Sequence, residues 1–404
     1  MKVAYLTGEY PRATDTFILR EVQGLRKLGV DVVTCSVRTT SADHHVGPEQ
    51  QAEAATTFKI VDAAKKPSIL IRSHLRAIRQ PSRYLHALRL ALRTSPPGIR
   101  NHVYQFFYFL EAAILVDHLR QERVDHLHNH IATASCTVAM IASAMSGIPY
   151  SFTLHGPGIF FEAHHWRLDT KIETAAFVSC ISDFCRSQAM LFSAHRDWDK
   201  LHIVHCGVEP ERYFARARPT RPTLLFVGRL AAVKGVLVLF DALKAIIKQH
   251  PDVLLRLIGD GPERSSLEAR AVELGIQDHV EFCGYKSQAD VAEALSAADV
   301  FVLPSFAEGV PVVLMEAMAS QVPVVTSRIA GVPELVEDGR SGLLVPPGAT
   351  GPLADALNKL LGDAKLRAEM GRIGQAKVAT DYVSSKEAEK LMHLFQHYRT
   401  ELPS

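Results

Sequence analysis

Short apolar runs alternate with amphipathic stretches along most of this chain. Val3–Thr7, Asp31–Val37, Val124–His128, Pro149–Leu154, Ala176–Ile181 and Leu201–His205 read as strands. The intervening segments carry helical spacing. One is capped by Thr14 or Asp15 and runs to about Leu28, one covers 131–146 and stops at Gly147, and shorter ones lie around 167–175 and 183–194. Around Glu209–Pro222 the periodicity lapses into Arg, Pro and Ala, the composition of a linker. It restarts with strands at Thr223–Val227, Val253–Ile258, Val280–Cys283, Val300–Leu303 and Pro323–Thr326. Helices are expected between them over 235–249, 263–274 and 287–297. Strand–helix alternation of this kind builds a parallel sheet with helices on both faces. The fold class is therefore α/β, with two doubly wound domains over 1–210 and 211–380. A charged helical tail over 381–404 is expected to pack back on the first domain. Open α/β sheets bind ligands beyond the carboxyl ends of their strands, which points to a cleft if the two domains face each other.

Composition supports this picture. A chain of 404 residues exceeds one ordinary core, and 47% hydrophobic with 22% charged residues is typical of a globular protein. No run reaches the length of a membrane-spanning helix, and Met1–Glu9 reads as a buried first strand rather than a signal peptide. Cysteines 35, 136, 180, 185, 206 and 283 show no metal-ligand spacing and read as reduced core residues. The net charge of +2 is unevenly spread. Residues 63–110 hold nine Lys or Arg and no acid, then end in the aromatic run Val103–Leu110. A basic, aromatic helical insertion over about 63–115 suits an anionic membrane surface. No nucleic-acid recognition module accompanies the charge.

The candidate chemistry lies just after strands. Glu308-Gly309-Val310-Pro311 leads into a helix bearing Glu316, with Pro311 fitting the first helical position. A helix N-terminus with free amides suits a diphosphate, and carboxylates beside it suit sugar and ribose hydroxyls. Gly228-Arg229 and Lys234-Gly235 place two cations after another strand, where they can meet a leaving diphosphate. Gly259-Asp260-Gly261-Pro262 is a tight strand-to-helix turn. In the first half, His155 ends a strand, and its neutral imidazole can bond a hydroxyl. His126, His128 and His130 alternate as on one strand face; without paired cysteines they make a poor zinc site. The turn beginning Gly8-Glu9-Tyr10-Pro11 lacks a G-x-G-x-x-G fingerprint, which argues against a dinucleotide, while its small and hydroxyl residues admit donor phosphate or an acceptor close to the backbone.

Gly228-Arg229…Lys234-Gly235, Gly259-Asp260-Gly261-Pro262, Glu308…Glu316, Gly331-Val332-Pro333-Glu334 and Ser341–Gly348 together resemble glycosyltransferase family 4. Tyr10-Pro11…Asp15-Thr16-Phe17 and Ser151–His155 resemble its bacterial exopolysaccharide branch, including colanic-acid-type enzymes, although Asp15 replaces the usual Glu and Gly158 a frequent Asp. The resemblance implies a GT-B fold and a retaining hexosyltransferase using a UDP- or GDP-sugar, without a metal or other cofactor. By that resemblance Arg229 and Lys234 hold the leaving diphosphate, with the Gly309 and Val310 amides beside it. Glu308 holds the donor sugar, Glu316 the ribose, and His155 touches the sugar or the reaction face. Gly8, Gly228 and Gly259 complete the expected donor contacts. The implied acceptor is a saccharide, such as a polyprenyl-diphosphate-linked glycan, at the inner membrane face of the cytoplasm. A nucleotide-sugar epimerase and a non-catalytic sugar-nucleotide sensor are the other classes compatible with these residues.

Overall fold

The computed structural model describes residues 1–12, 15–45, 47–214 and 221–400. The chain divides into two compact units, Met1–His205 with Ser385–Ser404, and Cys206–Ser384. Thr14 and residues 215–220 of the expected linker lie outside the described residues.

The first unit is built on a seven-stranded sheet of β1 (Lys2–Glu9), β2 (Asp31–Arg38), β3 (Phe58–Lys59), β4 (His126–His130), β5 (Tyr150–Leu154), β6 (Val178–Cys180) and β7 (Leu201–Ile203). Its order is β3-β2-β1-β4-β5-β6-β7, and every neighbouring pair is parallel. The strand order reverses between β1 and β4, which is where such sheets open a crevice at their carboxyl ends. The helix Thr16–Lys27 buries Ile18, Val22 and Leu25 against β1 and β2. The C-terminal helix Ser384–Thr400 lays Ala388, Leu391 and Phe395 into the same core.

The second unit has six parallel strands: β8 (Thr223–Val227), β9 (Leu254–Ile258), β10 (Val280–Gly284), β11 (Val300–Leu303), β12 (Val324–Ser327) and β13 (Gly342–Val345). Their order, β10-β9-β8-β11-β12-β13, reverses between β8 and β11. The central strands β8 and β11 are near-continuous apolar runs because helices cover both faces.

After the short helix Ile60–Ala64, the segment between β3 and β4 is not one helix but three in succession, Pro67–Ala77, Pro81–Arg93 and Ile99–Gln121. Prolines at the starts of the first two explain the breaks. No helix of the described residues is long and apolar enough to cross a membrane. No disulfide joins the six cysteines, all of them among the described residues, and five of them are buried.

Candidate active site

The reversal point of the second sheet gathers the motif residues of that unit. β8 ends at Val227, and Gly228, Arg229 and Lys234 follow; β11 ends at Leu303, and Ser305 and Glu308 follow. Lys234 Nζ donates to Glu308 Oε1 at 2.6 Å, and Ser305 Oγ donates to the same oxygen at 2.6 Å. Both side chains of the ion pair are mostly buried, at 21% and 12% exposed, so water screens it less than a surface pair. Arg229 is exposed and forms no ion pair among the described residues. Ser305 was invisible as a functional residue in the sequence, because only the fold turns its hydroxyl toward Glu308.

Close backbone approaches hold these loops together. Phe306 N donates to Val233 O at 2.8 Å, tying the loop after β11 to the one after β8. Gly235 has φ +67, and a Cβ there would lie 2.2 Å from Pro304 O. Gly259 has φ +130, and its Cβ would lie 2.0 Å from Gly228 O. Both positions demand glycine on geometry alone. Asp260 bonds its own turn, accepting from Gly261 N at 2.7 Å and from Arg264 at 2.9 Å.

Two helix starts differ from expectation. Pro311 is not the first helical residue but the N-cap of Val312–Ala319, with ψ 122. Pro262 precedes the N-cap Glu263 of Arg264–Leu274. In both cases the proline's extended or turn geometry sets the entry, and the helix begins afterwards. The amides of Gly309 and Val310 donate to no acceptor among the described residues, as suits an anion-binding turn. Glu316 lies one turn into the helix and is buried, 8% exposed.

The first unit supplies a second cluster. Gly8 lies within β1 rather than in the turn after it, because the strand continues to Glu9. A Cβ on Gly8 would meet nothing within 4 Å. His155 follows β5 and is partly buried. Burial, with His130 beside it, holds its pKa well below the ordinary imidazole range, so the ring is neutral. His126, His128 and His130 are all buried on β4. His128 bonds Ser151 Oγ at 2.7 Å and Thr153 Oγ1 at 2.9 Å, and His126 bonds Ser151 Oγ at 2.7 Å. One ligand atom each of Glu21, His128 and His130 falls within 4.8 Å of the others, a spacing a metal ion would accept. The nitrogens of both imidazoles already have protein partners, so the cluster is satisfied as a hydrogen-bond network. Glu21 escaped the sequence reading; it lies one helical turn from Phe17, whose ring centroid is 4.6 Å from that of His155.

The insertion also takes shape here. Its helices bury small residues, among them Ser73, Ala77, Ala87 and Ala91, and leave Ile71, Leu75, Leu85 and Leu92 exposed. Of the aromatic run, Phe109 is buried while Tyr104, Phe106 and Phe107 are exposed. Some of the cations have structural work. Arg72 and Arg76 pair with Asp117, and Arg83 donates to Ser146 O at the end of the helix Ala134–Ser146.

Residues 209–377 match the family model for glycosyl transferases group 1, and residues 14–212 match that for Glycosyltransferase Family 4. An uncharacterized glycosyltransferase of Methanocaldococcus jannaschii is 30% identical over 64% of this chain and 71% of its own. The chain belongs to glycosyltransferase family 4. The putative colanic acid biosynthesis glycosyltransferase WcaL of Escherichia coli is 26% identical over 88% of this chain and 90% of its own. Among solved structures, Anabaena HepE in complex with UDP-glucose superposes with a TM-score of 0.74 at 18% identity, covering 98% of this chain and 100% of that one. The fold is thus GT-B, two parallel-sheet α/β domains, and the family 4 member acts as a glycosyltransferase in glycan biosynthesis.

Proposed function

We propose that this family 4 enzyme is a retaining hexosyltransferase. It moves a hexose from a nucleotide-diphosphate sugar to a saccharide acceptor, carried on a polyprenyl diphosphate, in exopolysaccharide or cell-surface glycan synthesis. The carrying observation is the Lys234–Glu308 contact at the β8/β11 reversal point, with exposed Arg229 on the same loop as Lys234. In this reading Arg229, Lys234 and the amides of Gly309 and Val310 take the diphosphate. Their charge grows in value as the leaving group departs, so no metal is needed. Glu308 reads the sugar hydroxyls, Glu316 the ribose, and Gly228 and Gly259 let the nucleotide approach the backbone. His155, just after β5, and Gly8, within β1, are further donor contacts in this reading. The bond from C1 to the diphosphate oxygen breaks through an oxocarbenium-like state. The acceptor oxygen then bonds C1 from the same face, and its proton passes to the departing phosphate.

The exposed aliphatic and aromatic side chains of the 67–121 helices, beside exposed Arg79 and Arg89, favour docking on the anionic inner face of the plasma membrane, where a lipid-linked acceptor resides. Because HepE of the same fold binds UDP-glucose, UDP-sugars head the donor screen. Thermal shift with UDP-, GDP- and ADP-sugars, followed by transfer assays on the stabilising donor, tests the reading. A donor that stabilises the protein and loses its sugar only with acceptor present supports it. Epimerised donor without acceptor would mark an epimerase, and binding without turnover a sensor.

A further inference from the structure

Between the turn that joins the helices Pro67–Ala77 and Pro81–Arg93 and the end of the helix Ile99–Gln121 lies a cavity of about 360 Å³. Arg76, Arg79, Gln80, Asp117, Arg120 and Gln121 line it. The helix Ile99–Gln121 leads into β4, so the cavity lies towards the amino ends of the first sheet's parallel strands. The sheet's own ligand crevice opens at the carboxyl ends instead.

The charges of this cavity do not cancel. Three guanidinium groups line it beside one carboxylate, and both oxygens of that carboxylate are already taken. Arg76 Nη1 donates to Asp117 Oδ1 at 2.7 Å, and Ser73 Oγ donates to Oδ2 at 3.4 Å. Arg72 Nη2 lies 3.7 Å from the second oxygen. Arg79 is exposed and has no hydrogen bond or ion pair among the described residues. Arg120 is half-buried, and its Nη2 donates to a neutral acceptor, Gln80 Oε1, at 3.1 Å. Burial and the nearby Arg83 cation lower its pKa, the mark of a guanidinium whose charge is under-compensated. Gln80 is also the N-cap of the helix Pro81–Arg93, whose first turn carries no acid. The partial positive charge of that helix end adds to the surplus.

We propose that this cavity is an anion site for a phosphomonoester, separate from the donor site. Its lining leaves a surplus of two positive charges, and a phosphomonoester carries about −1.5 to −2 at neutral pH. Arg79 and Arg120 supply forked donors to the terminal oxygens, and Gln80 fixes the Arg120 fork before the ligand arrives. Two sources carry that group, the headgroup of a membrane lipid and a soluble phosphorylated metabolite. Leu75 and Ile78, next to Arg76 and Arg79 in sequence, are exposed and offer apolar contact to the lipid. The assignment does not rest on the transferase reading.

Equilibrium dialysis of the full-length protein against labelled inorganic phosphate at low salt tests the site. Arg229→Ala with Lys234→Ala first removes the donor-site cations, so that the remaining binding reports the cavity. That protein is expected to hold one phosphate per chain. Adding Arg79→Gln and Arg120→Gln should weaken binding about tenfold or more. Arg89→Gln, outside the cavity, removes one charge and should leave binding unchanged. Arg79→Gln alone, at an exposed side chain, should cost severalfold and decides the matter should Arg120→Gln fail to fold. Vesicles of phosphatidylcholine with phosphatidic acid, compared with phosphatidylglycerol at equal surface charge, separate the sources. Preferential flotation with phosphatidic acid, competed away by inorganic phosphate, supports the lipid headgroup. Saturable phosphate binding without that preference supports the soluble source. No saturable binding in the donor-cation variant, unchanged binding in the cavity variants, or an equal loss in Arg89→Gln overturns the site. Failure of sugar transfer would sink the transferase reading and leave this measurement intact.

Discussion

Lys234 Nζ lies 2.6 Å from Glu308 Oε1, joining two residues 74 positions apart at the reversal point of the second sheet. Neither side chain is in bulk water, and Ser305 fills a second site on the same carboxylate oxygen. The pair is thus held in place before any ligand arrives, as electrostatic stabilisation of a developing charge requires.

Removing either partner is expected to lower kcat about 10²-fold, as for a single group that stabilises transition-state charge. Because the two residues touch, Lys234→Ala combined with Glu308→Gln should lose less than the product of the single losses. Steady-state kinetics on the four proteins measures the coupling. Strictly multiplicative losses would show that the contact has no role in turnover.

Gly259→Ala is expected to destabilise the second unit by about 1–3 kcal/mol, through positive φ and a Cβ driven against Gly228 O. Urea unfolding read from that unit checks it. Gly8→Ala, with open space around the added methyl, should leave stability unchanged, so a fall in donor turnover there would report a ligand contact.

Acid should loosen the first unit below pH 6.5. Burial lowers the His126 pKa from 6.5 to about 3, and burial with neighbouring histidines holds that of His128 well below its ordinary value. Between these values the unfolded chain binds protons that the folded chain refuses, so stability rises with pH through that window and is lost on acidification. Denaturant midpoints from pH 7 to 4 should fall, and His126→Asn should flatten the slope.

Lys171 titrates in the opposite range. It is fully buried and donates to Ala132 O at 2.8 Å and Thr133 O at 2.9 Å. Burial lowers its pKa from 10.5 to about 8. Between these two values the unfolded state holds the extra proton, so stability again rises with pH. Relative to Lys171→Met, the wild type should gain about 3 kcal/mol on going from pH 8 to 10.5. Parallel unfolding curves for the two proteins over that range would remove Lys171 from the account.

Membrane docking separates into charge and area. Arg79→Glu with Arg89→Glu should abolish flotation with anionic vesicles at low salt and leave donor turnover in solution unchanged. Phe106→Ser with Phe107→Ser should weaken flotation in a salt-independent way. Wild-type protein that ignores anionic vesicles at low salt would end the membrane reading.

The strands, the two sheets and the motif after each strand were legible because they rest on local pattern: apolar runs, glycine turns and the charges beside them. β3, only two residues long, and β13, which begins with glycine, escaped that pattern, since pairing partners rather than propensity make them strands. So did the three-helix form of the 67–121 segment, where the apolar face turned outward gives no inward stripe to follow. What only the tertiary structure decided is which distant groups share an atom. Lys234 and Ser305 meet on one Glu308 oxygen, and Tyr5 and His130 meet on one Glu21 oxygen, 109 residues from His130. Sequence spacing places a side chain at a strand end; the parallel register and the reversal of strand order decide which other strand ends it faces. The carboxylates, cations and histidine were therefore named by the sequence, while their hydrogen-bond partners were settled by the fold.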